Sequence, residues 1–142
     1  MILFCDTSAL VKLYIVEPQS DQMRALVAEA EAVAVVRIAW AEFHAALARR
    51  VREVPADAPA VDDARRALAE DWAHYLILEV SQSLVEKAGE FADAFALRGY
   101  DAIQLAAAHE LATEAERPVA FACADQRLAR AAKILGFAVP LS

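Results

Sequence analysis

Four short apolar runs punctuate a chain that is otherwise amphipathic. They are "ILFC" at Ile2–Cys5, "VAVV" at Val33–Val36, "YLILEV" at Tyr75–Val80 and "VAFACA" at 119–124. None alternates with polar residues, so each predicts a strand buried on both faces. Between them the apolar positions recur at helical spacing. A short helix is expected over Ser8–Val16, interrupted by Glu17-Pro18, because proline cannot continue it. Another follows over Gln19–Ala30, with Met23, Leu26, Val27 and Ala30 on one stripe. Further helices are expected over Ala39–Arg52, Val61–Ala73, Ser81 to about Leu97, Tyr100–Ala115 and Asp125–Leu135. Gly99 and Gly136 are placed as helix stops. The "PADAP" segment at 55–59 reads as a loop too short to link domains. Phe137–Val139 could add a short fifth strand. Strands that alternate with helices in this way predict an α/β fold: a three-layer α/β/α sandwich around a central parallel sheet of 4–5 strands, with residues 1–142 forming a single domain.

Composition narrows the picture. The 142 residues suit one compact domain, and the 59% hydrophobic content leans on alanine, which favours helix. A net charge of -7 argues, by itself, against a nucleic-acid binder, since such proteins usually carry a basic excess. Cys5 and Cys123 form no CxxC pair and lie in apolar runs, which predicts buried free thiols in a reducing cytosol. No apolar run reaches the ~18 residues of a membrane span, and Asp6 cuts the first run too early for a secretory signal. A soluble, cytoplasmic protein without membrane association is expected.

The chemistry lies in the acids. In open parallel sheets, sites form beyond the carboxyl ends of the strands. Asp6 follows the first strand, Glu42 comes shortly after the second, and Asp125 follows the fourth. Asp101 opens the helix before the last of these. Each has a structural explanation. Asp6 and Asp125 suit helix N-caps, and Asp101 sits in a first turn where the helix dipole favours an anion. Glu42 fits least well, because it shares the apolar face of its helix with Ala39, Phe43 and Ala46. Four carboxylates at one sheet edge repel one another unless a cation joins them. A hard divalent ion, Mg²⁺ or Mn²⁺, is the natural partner and can activate water against a phosphodiester. His44, His74 and His109 are scattered, with no ligand spacing.

Four segments, "FCDTSALVKLYIVEP", "AWAEFHAALARR", "RGYDAIQLAAA" and "AFACADQRLARAAKILGF", resemble PIN domains, specifically the stand-alone ribonuclease toxins of VapBC toxin–antitoxin systems. The resemblance implies metal-dependent endonucleolytic cleavage of RNA, with Asp6, Glu42, Asp101 and Asp125 as metal-binding and catalytic acids. It implies that Thr7 and Ser8 orient a carboxylate or water. It also implies a cognate antitoxin and a homodimer. Two positions depart from the pattern: Cys123 stands where relatives carry Thr or Ser, and Gln104 where many carry His. Arg49, Arg50, Arg52, Arg65, Arg66, Arg98 and Arg127 could meet phosphates, or simply face solvent. Two other readings stay open. One is a non-catalytic module on the same fold. The other is a Mg²⁺-dependent phosphotransfer domain, which Ser8 opposes because a haloacid-dehalogenase-like site would have Asp there.

Overall fold

The computed structural model describes residues Met1–Ser142. In chain order the elements are β1 (Ile2–Cys5), α1 (Thr7–Lys12), α2 (Ser20–Glu29), β2 (Ala32–Val36), α3 (Ala39–Glu53), α4 (Ala58–Trp72), β3 (Leu76–Leu78), α5 (Gln82–Phe95), α6 (Gly99–Glu114), β4 (Val119–Ala122) and α7 (Gln126–Ile134). The four strands pair in parallel in the order β3-β2-β1-β4, with helices on both faces. This is the expected three-layer arrangement.

Strand β1 sits at the centre because it is apolar on every side. Leu3 pairs with Val33 on one edge and Ala120 on the other. Leu3, Phe4 and Cys5 are wholly enclosed, and Phe4 stacks on Phe121 at 5.5 Å between ring centres. The middle of helix α6, Gln104–Ala108, is also enclosed, and its run Ala106–Ala108 lets neighbouring backbone approach closely. The chain steps outward from β1 to β2 and β3, then returns across the sheet to place β4 on the opposite edge of β1. That reversal makes the carboxyl ends of β1 and β4 the switch point, where α/β sheets open a crevice. Two hydrogen bonds fasten these ends. The Asp6 N–H donates to the Ala122 carbonyl at 3.1 Å, and the Ala124 N–H donates to Ser8 Oγ at 3.0 Å.

Several elements differ from expectation. Strand β3 is not doubly buried: it lies at one edge of the sheet, only Leu76–Leu78 pair, and Leu76 is 43% exposed. The fifth strand reduces to one parallel bridge, Ala120 to Ala138. Gly99 starts α6 and does not stop α5. The stop is Ala96, held in the left-handed region at φ 54 with its N–H on the Ala92 carbonyl. Helix α1 ends early at Lys12, whose buried Nζ reaches forward to Glu17 Oε1 (3.1 Å) and the Pro18 carbonyl (2.9 Å). The "PADAP" segment is a 3-10 turn at Pro55–Asp57 running into α4, with a proline in the first turn, where a missing N–H costs little. Gly136 does close α7, at φ +94. Both cysteines are free and buried. No helix is long and apolar enough to cross a membrane.

Candidate active site

Asp6 leaves the end of β1 and caps α1. Its Oδ1 accepts from the Ala9 N–H at 2.9 Å and the Ser8 hydroxyl at 2.7 Å. The capping explanation therefore holds, yet it uses one oxygen only; no hydrogen bond reaches Oδ2. The residue is 4% exposed. Burial pushes its pKa up to about 7 against the two hydrogen bonds, and the charges of Asp101 and Glu42 push the same way.

Glu42 comes from the first turn of α3 and is half-buried. Its Oε1 accepts from Thr7 Oγ1 at 3.0 Å and from Gln104 Nε2 at 2.8 Å, and the same Gln104 amide reaches Thr7 Oγ1 at 3.1 Å. A three-way junction thus ties α3, α1 and α6 together. Burial raises the Glu42 carboxyl above its usual range, the two donors oppose this, and Asp101 adds to it. Gln104 is 1% exposed, with its own Oε1 enclosed and unpartnered. The sequence marked it only as a departure. Its spacing to Asp101, one helical turn along α6, was the available signal that it faces the same way.

Asp101, in the first turn of α6, makes no side-chain hydrogen bond. Burial raises it, Asp125 raises it further, and Arg98 opposes both. Asp125 caps α7 through the Leu128 N–H at 2.8 Å and is otherwise exposed. Cys123, in doubt as a replacement for Thr or Ser, is buried and directs its thiol to the Asp125 backbone carbonyl at 3.5 Å. The Asp125 carboxylate does not depend on it.

All four acids, with Thr7 and Ser8, line a single open cleft of ≈ 560 Å³. Arg49, Arg52, Arg98 and Tyr100 share its walls. Tyr100, 64% exposed, is a residue that sequence reasoning missed, though an aromatic beside Asp101 was visible. No histidine lines the cleft. Of the other basic residues considered, Arg50 pairs with Asp57 and Glu17, Arg65 with Asp62, and Arg66 with Asp63, so these three are engaged elsewhere.

As the side chains stand, no group of three or more His, Cys, Asp or Glu is drawn together tightly enough to hold a metal ion. Each of Asp6, Glu42 and Asp125 is held by its own donors, and mutual repulsion favours separation. The donor set nonetheless fits a hard divalent cation. It is all oxygen, and three of its members are pushed toward the protonated form by burial and by one another, the environment a cation would relieve.

The sequence matches the PIN domain family over residues 3–134. The chain belongs to that family. It is also homologous to VapC ribonucleases at moderate identity. It is 36% identical to Ribonuclease VapC49 of Mycobacterium tuberculosis (strain ATCC 25618 / H37Rv) over 107 residues, 75% of this chain and 74% of that protein. It is 33% identical to Ribonuclease VapC46 of the same strain over 137 residues, 96% of this chain and 95% of that one. Among solved structures it matches PAE2754 from Pyrobaculum aerophilum with a TM-score of 0.68 at 19% identity, covering 99% of this chain and 84% of that one. At such identity the likeness concerns the fold.

Proposed function

We propose that this protein is a divalent-cation-dependent endoribonuclease, the toxin of a toxin–antitoxin pair, and that it hydrolyses RNA phosphodiester bonds at the four-acid cleft. The observation that carries this reading is the convergence of Asp6, Glu42, Asp101 and Asp125, from four separate segments, on one cleft at the sheet's switch point. The ribonuclease names of its relatives support it.

Asp6, Glu42, Asp101 and Asp125 would hold Mg²⁺ or Mn²⁺, which supplies an activated water and offsets phosphate charge when bound. The chain's own residues prepare for this. Ser8 and the Ala9 N–H fix Asp6 through Oδ1, which leaves Oδ2 as the oxygen that would hold the proton of the neutral acid or meet a cation. Thr7 and Gln104 fix Glu42 through Oε1 and leave Oε2 for the cleft. A cognate antitoxin masking the cleft and a homodimeric state belong to the same proposal.

The test is cleavage of cellular RNA by purified protein with Mg²⁺ or Mn²⁺, read by sequencing new 5′ ends. Wild type is expected to produce discrete ends that EDTA, Asp6→Asn and Asp101→Asn each abolish. Ends that persist in both variants would remove the acids from the chemistry. No ends from wild type, with intact cation binding, would favour a non-catalytic module.

A further inference from the structure

The molecule is acidic, yet its free basic groups are not spread evenly. Of the 14 lysines and arginines, eight are in ion pairs with carboxylates. The other six, Arg49, Arg52, Arg98, Arg127, Arg130 and Lys133, have no carboxylate partner, although Arg127 donates to the Ala96 carbonyl at 3.2 Å and Lys133 to Ser142 Oγ at 2.5 Å, and all six border the acidic cleft or a hollow adjoining it. Arg49 and Arg52 enter the cleft from α3, one turn apart, and Arg98 enters from the start of α6. Arg98, Arg127 and Arg130 line the next hollow, which shares Asp101 and Asp125 with the cleft. Arg130 and Lys133 continue along α7 into a third. The acids therefore lie between two basic flanks, one on α3 and one on α7.

We propose that these six cations form a two-sided rim that holds a single RNA strand across the cleft, with phosphates on both flanks and a base stacked on Tyr100. The proposal rests on the nuclease reading above and assigns its substrate-binding residues. Unpaired cations flanking an acidic centre suit a polyanion whose reacting phosphate crosses the acids while its neighbours meet the arginines. An exposed aromatic ring among those arginines distinguishes a nucleic acid from an acidic peptide, because bases stack on aromatic faces and carboxylates do not. It also favours a single strand, whose bases are free to leave their own stack. The census resolves the objection from net charge. Eight cations are neutralised in place, and the remainder are concentrated where a phosphate chain would run.

Binding should be measured by fluorescence anisotropy with a labelled mixed-sequence single-stranded RNA, using full-length Asp6→Asn protein in EDTA, across a range of salt. Engagement of all six cations gives a slope of log affinity against log salt of about −4, at roughly −0.7 per phosphate on a single strand. Arg49→Gln with Arg52→Gln, and separately Arg127→Gln with Arg130→Gln, should each reduce the slope by about 1.4. Tyr100→Ala should weaken binding roughly 5- to 150-fold without changing the slope. Arg65→Gln with Arg66→Gln, ion-paired on α4, should change neither. Equal slopes in all variants overturn the rim, as does a loss confined to one flank. Equal competition by polyglutamate of the same length overturns the choice of nucleic acid. Because binding is read without cleavage, the two readings separate. Rim-dependent binding without cleavage by wild type sinks the nuclease alone, whereas cleavage indifferent to the rim sinks the rim alone.

Discussion

Replacing Asp6 by Asn should stabilise the metal-free protein above neutral pH. Asn keeps the geometry: its Oδ1 can still accept from Ala9 and Ser8, and Asn caps helices as well as Asp does. What it removes is a charge in a site 4% exposed, facing Glu42 and Asp101. The folded-state pKa is about 7 against an ordinary 3.8, a gap of about three units. At 1.36 kcal/mol per unit this amounts to about 4 kcal/mol. Because the folded pKa is raised, the folded chain holds a proton that the unfolded chain has already released. Stability from this group is therefore full below about pH 4 and is lost as pH rises to about 7. The difference between variant and wild type should be near zero at pH 4 and about 4 kcal/mol at pH 8, or roughly 10 °C in melting temperature for a domain of this size. Urea and thermal unfolding in EDTA across that range measure it directly. A difference that does not vary with pH, or a wild type more stable than the variant at pH 8, would refute the burial argument.

Other expectations follow from single contacts. Gln104→Leu removes the amide that fixes Glu42 but also an unpartnered buried oxygen, so stability should change little while divalent-ion affinity, read by calorimetry, falls roughly 10- to 100-fold. Cys123→Ser should leave RNA cleavage intact, because the thiol meets the Asp125 backbone and not its carboxylate. Ala96→Gly should raise the urea midpoint, worth about 1 kcal/mol, by relieving a left-handed alanine at an exposed helix end.

The layers and strands β1, β2 and β4 were legible because all three are apolar throughout, and only a strand covered on both faces tolerates that. Strand β3 carries a similar sequence but sits at an uncovered edge, whereas the outer edge of β4 meets Ala138; strand order of this kind is not encoded in local pattern. Gly99 misled because glycine is a common helix stop, whereas the chain turns three residues earlier, on an exposed alanine followed by the buried Leu97, whose N–H also bonds the Ala92 carbonyl. Asp6, Glu42 and Asp125 were legible from their positions after strands, and Asp101 from its place at the start of α6. Their present separation was not, since it follows from donors such as Gln104 that come from distant helices. Arg49, Arg52, Arg98 and Arg127 were legible as possible phosphate contacts, but that Arg50, Arg65 and Arg66 drop out was not, because ion pairing decides which arginines remain available.

The return of the chain from β3 to β4 has a consequence for biosynthesis. Residue 6 leaves the ribosome well before residues 119–122, the strand that lies beside β1 and whose Ala122 carbonyl takes the Asp6 N–H. Until that distant strand slots in beside β1, Asp125 has no fixed place opposite Asp6, and the crevice between them does not exist. A nascent chain, a prematurely terminated one or a proteolytic fragment lacking the β4 segment therefore carries the first three acids without a finished site. Long-range parallel pairing of this kind also forms late and slowly. On the toxin reading proposed above, the strand order acts as a delay: the site is completed only after the β4 segment has been synthesised and paired beside β1.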